Sequence, residues 1–224
     1  MVAHYDFKIT NDAMDKYQEL IELRRLYFYP SAFDARYWQG GLHSLLDVDT
    51  MRATHEEDRG SHFVFCFDAD GKIQAYARFS LSVSPTTVFG DQLDVENVAP
   101  IFVHVLVAHP GLRGKHIETV WKRVNQKGKI GHLLYSLILD FGGQSGGNLV
   151  SADVCVSPIP NIPSLALHAN LQFVPLGGPL GLRTARFDSR NREEAVQFLR
   201  LVRSIPHRGQ LLRSRDGKLQ LVTK

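Results

Sequence analysis

Cysteine is almost missing from this 224-residue sequence: Cys66 and Cys155 are the only two, each inside an apolar, strand-like run. That scarcity excludes a disulfide framework and leads us to expect two buried free thiols in a reducing compartment. No apolar run approaches the ~20 residues that cross a bilayer, so no membrane span is expected. The first ten residues alternate polar and apolar side chains with charges included, which does not read as a signal peptide, and a cytoplasmic protein is expected. An excess of one charge sign is also missing. Lys and Arg number 26 against 23 Asp and Glu, a net charge of +3, too small for a dedicated nucleic-acid binder. Internal repeats, low-complexity segments and dividing linkers are absent too, so residues 1–224 read as one domain.

What is present is an ordinary globular composition, 44% hydrophobic and 22% charged. The positive charge is unevenly spread. Arg113, Lys115, Lys122, Arg123, Lys127 and Lys129 fall in one short span opposed only by Glu118. Such a patch suits a phosphorylated cofactor or an acidic substrate, and a solvated charged face explains it equally well.

Residues 2–9 suggest a short strand, and Asn11 or Asp12 a cap for a helix running to about Tyr29, closed by Pro30. Residues 31–60 carry Phe33, Tyr37, Trp38, Leu42, Leu45 and Leu46, so part of this segment is expected to be helical and packed. Residues 62–67 and 73–83 flank an Asp-Gly turn, the signal of a hairpin. The near-continuous apolar run 101–108 reads as a central strand buried on both faces. Residues 111–125 place Ile117, Val120, Trp121 and Val124 at helical spacing, as in an inserted turn or short helix. A strand at 149–156, a short helix at 164–170, strands from Phe173 and through 182–187, an amphipathic helix at 192–202 and a small terminal hairpin around Asp216-Gly217 complete the expected order.

One stretch organises the rest. Gln126-Lys127-Gly128-Lys129-Ile130-Gly131-His132 precedes a helical stripe of Ile130, Leu133, Leu134, Leu137, Ile138 and Phe141. The first N–H groups of a helix have no partners within it and carry the positive end of its dipole. A basic, glycine-containing turn that opens a helix therefore makes a seat for a pyrophosphate. The alternative is a helix following a glycine-containing loop, with lysines on its wet side.

The order of elements, with two motifs, resembles the GNAT superfamily of N-acyltransferases. Gln126-Lys127-Gly128-Lys129-Ile130-Gly131 is similar to that family's phosphate loop, Gln/Arg-x-x-Gly-x-Gly/Ala, with Lys129 where the first glycine belongs. Asn161, Ser164, Leu167, His168, Gln172 and Phe173 keep the register of its Asn-x-x-Ala/Ser-x-x-Leu-Tyr-x-x-x-Gly-Phe, with His for Tyr and Gln for Gly. A rival register, Pro110-Gly111-Leu112-Arg113-Gly114-Lys115-His116-Ile117, also looks like the family's loop but sets His116 and Glu118 at its glycine positions. The motifs cover about residues 60–187, with a C-terminal helix and tail at 190–224.

The resemblance implies a mixed α/β fold: a central twisted, mostly antiparallel sheet with helices on both faces. It implies acetyl-CoA or another acyl-CoA as co-substrate, no metal, and a small-molecule amine or amino-acid-like acceptor, and it allows a homodimer. By the same resemblance, Leu106, Val107 and Ala108 would contact the pantetheine. Gln126, Lys127, Gly128, Lys129, Ile130, Gly131 and His132 would hold the pyrophosphate, and Asn161 and Ser164 would touch the cofactor. His168, at the position of the family's tyrosine, becomes a candidate acid or base, and His104, on the central strand, a candidate base. Packing or capping roles explain His168, His104, Asn161 and Ser164 as well. A long-chain N-acyl amino acid or acyl-homoserine-lactone synthase, and a degenerate CoA-binding module, are the rival functions.

Overall fold

The computed structural model describes residues 5–13, 15–28, 48–57, 60–81, 83–85, 93–94, 98–121, 124–157, 160–176, 182–189, 192–213 and 219–222. Phe33, Tyr37, Trp38, Lys122, Arg123 and the Asp216-Gly217 turn lie outside them. The chain forms two compact units, residues 1–78, 105–137 and 188–192 in the first and residues 79–104, 138–187 and 193–224 in the second.

The first unit begins with β1 (Asp6–Thr10), α1 (Tyr17–Phe28), α2 (Val48–Glu57) and β2 (Ser61–Phe67), followed by most of β3 (Ile73–Ser80). The first helix starts at Tyr17 and not at Asn11 or Asp12, because Asp12 closes a turn onto Thr10 Oγ1 and Asp15 sits at φ +53°. β1 runs antiparallel to β2 from Asp6 opposite Phe67 to Thr10 opposite Phe63. The β2–β3 turn is the expected hairpin. Asp68 Oδ1 accepts from the amides of Asp70 (3.1 Å) and Lys72 (2.9 Å), and Gly71 takes φ +74°, which a β-carbon would resist. Tyr17, Leu20 and Ile21 of α1 meet Met51 of α2 and Phe63, Phe65, Ile73 and Tyr76 of the strands in one core.

The second unit contains β4 (Leu93–Asp94), the start of β5 (Pro100–Ala108), β8 (Leu149–Ser157), β9 (Val174–Pro175), β10 (Leu182–Ser189, its last two residues in the first unit), β11 (Arg192–Ser204), β12 (Gln210–Arg213) and β13 (Leu219–Val222). Leu149, Leu176, Val202 and Leu219 form its core with Val98. The segment 192–202, expected as a helix, is strand. Its apolar residues fit either period, and an antiparallel ladder to β8 from Gln197–Ser157 to Ser204–Leu149 decides the matter. The terminal hairpin forms as expected, β12 against β13, with β13 parallel to β4.

Hydrogen-bonded strands follow the order β1-β2-β3-β5-β8-β11-β10, with β9 also on β11, a mixed α/β arrangement on a mostly antiparallel sheet. Helix α3 (Ile130–Gln144) follows β6 (His116–Trp121) and β7 (Val124–Lys129), and α4 (Ile162–Asn170) follows β8.

Candidate functional site

In the first unit the candidate phosphate seat has an unexpected construction. After β5 the chain makes a 3-10 turn at Pro110–Leu112, where His109 Nδ1 accepts from the Gly111 amide at 3.1 Å, and Gly114 takes φ +71°. The segment expected as an inserted turn or short helix is then a β-hairpin. β6 and β7 pair antiparallel from Trp121 opposite Val124 to His116 opposite Lys129. Ile117 and Thr119 are buried with Glu118 between them more exposed, the two-residue alternation of a strand. Gln126, Lys127, Gly128 and Lys129 thus belong to a strand, not to a loop. Lys127, directly across from Glu118, is ion-paired to it at 2.8 Å. Gly128 is not demanded by a close approach, since a β-carbon there would meet Leu133 at an ordinary 3.6 Å.

α3 starts immediately after, at Ile130, so its opening amides belong to Ile130, Gly131 and His132. Leu133, Leu134, Leu137 and Ile138 are buried, as the stripe required. His132 Nδ1 is buried and makes no hydrogen bond among the described residues. The rival register at residues 110–117 opens no α-helix; it runs from the 3-10 turn into the first two residues of β6. Because His116 and Lys129 face one another, the hairpin returns the chain to its starting point and sets Lys115 and Ile130 at neighbouring positions. Val107 and Ala108 are buried and Leu106 is half-buried.

In the second unit β5 and β8 pair in parallel over four positions, Pro100–Leu149 to Val103–Ala152. His104 is the first β5 residue beyond this ladder, and it is exposed, so the central strand is not buried on both faces along its length. Its Nε2 lies 2.6 Å from Oγ of buried Ser80, and its ring stands edge-on to Phe102 at 4.9 Å. Asp153, the first β8 residue beyond the ladder, is register partner to Arg200 of β11 and binds it twice, at 2.7 Å to Nε and 2.8 Å to Nη2. The Arg200 guanidinium also covers the Phe102 ring at 5.3 Å. Neither Ser80 nor the Asp153–Arg200 pair was visible in the sequence. Reading β11 as a helix removed the register that would have suggested the ion pair.

β8 leads to α4 through Asn161, whose amide donates to Cys155 O at 2.9 Å. Asn161 is the N-cap: its Oδ1 accepts from the Ser164 amide at 3.1 Å, and Pro163 fills the first turn without a lost donor. The capping role falls to Asn161 and not to Ser164. One turn on, His168 is buried at 4% exposure, with Nδ1 donating to Ser164 O at 2.7 Å and the Ser164 hydroxyl 3.4 Å away. Burial pulls the His168 pKa below the ordinary histidine value, outweighing the opposing hydrogen bond. A carbonyl can only accept, so the neutral ring carries its proton on Nδ1 and leaves Nε2 a lone pair. This form is a hydrogen-bond acceptor or base and not an acid.

α4 ends in a paired closure, Phe173 N–H to His168 O at 2.9 Å and Gln172 N–H to Ala169 O at 3.0 Å. Gln172 holds φ +61°, the left-handed position that glycine usually fills, and Phe173 packs edge-on to His168 at 4.8 Å. Glutamine costs about 1 kcal/mol more than glycine in this conformation.

No protein-family model matches the sequence, and no curated protein does. Solved structures do match its fold. The GNAT superfamily phosphinothricin acetyltransferase of Sinorhizobium meliloti, in complex with acetyl-CoA, superposes with a TM-score of 0.54 at 16% identity, over 92% of this chain and 89% of that one. An N-acetyltransferase from Staphylococcus aureus Mu50 gives 0.54 at 14% identity, over 89% and 99%. yncA from Salmonella typhimurium, with its cofactor acetyl-CoA, gives 0.54 at 15% identity, over 89% and 94%. This chain has the fold of the GNAT acetyltransferases.

Proposed function

We propose that this protein is a divergent member of the GNAT superfamily, an acyl-CoA-dependent N-acyltransferase and most simply an acetyltransferase acting on a small amine or amino-acid-like acceptor. The single observation that carries the reading is the parallel β5–β8 ladder that stops after four pairs and is followed at once by an exposed imidazole. Beyond the ladder the backbone of β5, with Leu106, Val107 and Ala108, is the natural partner for the amides of pantetheine. His104 receives the proton of the attacking amine. With Nε2–H given to Ser80 Oγ, its Nδ1 carries the lone pair.

The amides of Ile130, Gly131 and His132 take the pyrophosphate, an attraction of about 1 kcal/mol from the helix end alone. Arg113 and Lys115, returned to that helix by the hairpin, supply the charge together with Lys129. In this reading the two candidate registers are halves of one phosphate seat interrupted by β6 and β7. Gln126, Lys127 and Gly128 belong to the interruption, and Lys127 is already paired with Glu118. His168 accepts a hydrogen bond beside the thioester, and Asn161 and Ser164 hold its helix in place. β3, β5 and α3 each contribute residues to both units, which supports a single transferase domain.

Calorimetric titration with acetyl-CoA and CoA, followed by thiol release with a panel of amines, tests this. Micromolar binding with turnover is expected, together with at least a tenfold weaker affinity in Arg113→Ala/Lys115→Ala and little change in Lys127→Ala. The reverse ranking would restore the contiguous Gln126–Gly131 register. Binding without turnover would favour a CoA-binding module, and preference for long acyl chains would favour the synthase.

A further inference from the structure

We propose that the second unit carries an additional ligand site, independent of acyl transfer, for a small carboxylate with a short apolar body. The site is the cavity of about 350 Å³ at the end of β11, into which Arg203, Gln172, Gln210 and Ser204 bring polar groups. That volume lies in the range of small-molecule pockets. Val174 and Leu211 add apolar wall.

Arg203 is the reason to assign a ligand. Three residues earlier on the same strand Arg200 is held by two bonds from Asp153 and covers an aromatic ring. Arg203 is half-buried, and its side chain has no ion pair or hydrogen bond among the described residues. Its surroundings withdraw enough water to lower its pKa from the ordinary guanidinium value. A guanidinium presents a planar fork that a carboxylate fits with two parallel bonds, so a bound acid would restore the solvation that burial has removed. Arg203 is the one cation on the described wall, and one cation balances a monoanion, whereas a phosphate dianion would leave a charge over.

Gln172 is the second observation. The chain keeps glutamine at φ +61°, where glycine would be relaxed, and that glutamine lines the cavity. Gln210 and Ser204 line the same cavity, so amide and hydroxyl groups are available on its wall beside Arg203. Pockets of this kind use a few placed polar groups to orient a mainly apolar ligand.

The full chain is titrated with isocaproate as probe, with isocaproamide and phenyl phosphate as controls, following backbone amides by two-dimensional NMR. Isocaproate is expected to bind below about 5 mM, shifting the amides of Arg203, Ser204, Gln210 and Gln172, while the neutral amide and the phosphate bind at least tenfold more weakly. Arg203→Met should weaken isocaproate at least tenfold and Arg203→Lys less. Should Arg203→Met fail to fold, Gln172→Gly provides the test, since it relaxes the backbone and should still lose affinity. Absence of binding, equal binding of acid and amide, shifts confined to other residues, unchanged affinity in a folded Arg203→Met variant, or unchanged affinity in Gln172→Gly where Arg203→Met does not fold, would overturn the assignment.

Discussion

Removing the carboxylate of Asp153 should be the most damaging single change in the second unit. Arg200 has a side chain 3% exposed, and Asp153 one 19% exposed, so the pair is nearly dry and its two bonds at 2.7 and 2.8 Å are well formed. Breaking a buried pair from one side leaves a charge without its counter-ion, at a cost of about 3–5 kcal/mol. The residual exposure of Asp153 and the Phe102 ring under the guanidinium soften this. For Asp153→Asn we expect a loss of about 2–4 kcal/mol, a large share of the ~5–15 kcal/mol by which domains are stable. Urea unfolding monitored by circular dichroism should show the midpoint falling with the slope unchanged. The double variant Asp153→Leu/Arg200→Met removes both charges and should recover at least half of the loss. A loss under about 1 kcal/mol in Asp153→Asn, or a double variant no better than the single one, would refute the claim that this pair is an electrostatic clamp.

A β-carbon on Gly142 would lie 2.0 Å from Ile101 Cδ1, and one on Gly147 2.8 Å from the same atom, so Ile101 has little room to turn away. Gly142→Ala should therefore cost about 1–2 kcal/mol despite alanine's helix preference, and Ile101→Val should relieve part of it in the double variant, as thermal melts would show. The depressed pKa of His168 means that the unfolded chain binds its proton more readily than the folded one. Its contribution is complete above about pH 6.5 and is lost as pH falls toward the folded pKa, at up to about 1.4 kcal/mol per pH unit. Urea midpoints at a series of pH values should show wild type losing more stability than His168→Gln below pH ~6.5. Burial raises the Cys66 thiol to about 12, with the Asp68 and Asp6 carboxylates adding to it, whereas Cys155 is only half-buried. Thiol labelling of the native protein should consume Cys155 first and reach Cys66 only on unfolding.

Much of this fold could be read from the sequence where local chemistry and tertiary packing agree. The stripe on α3, the Asp68 turn, and the Asn161 and Phe173 ends of α4 are set by residues within a few positions of one another. The errors occur where they disagree. In residues 192–202 the apolar positions satisfy both a helix and a strand, and in 111–125 they fall at helical spacing, yet the choice is made by a distant partner, β8, and by a returning strand, β7. The candidate site divides in the same way. His168, Asn161 and Ser164 lie within one short helix, and a motif could gather them. His104 finds Ser80 across 24 positions of sequence, a meeting no spacing announces. The two candidate phosphate registers compete in the sequence because only the β6–β7 pairing, which sets His116 opposite Lys129, brings them together.

That hairpin also has a consequence for how the protein can vary. The strand pair leaves the main path and rejoins it at adjacent positions, so it is a side branch that the remaining chain does not need for its threading. Sequence can be gained or trimmed at its tip, near Trp121 and Val124, without altering any other strand's register. Two members of one lineage could differ there by an entire lobe and still begin α3 at the same place after β5.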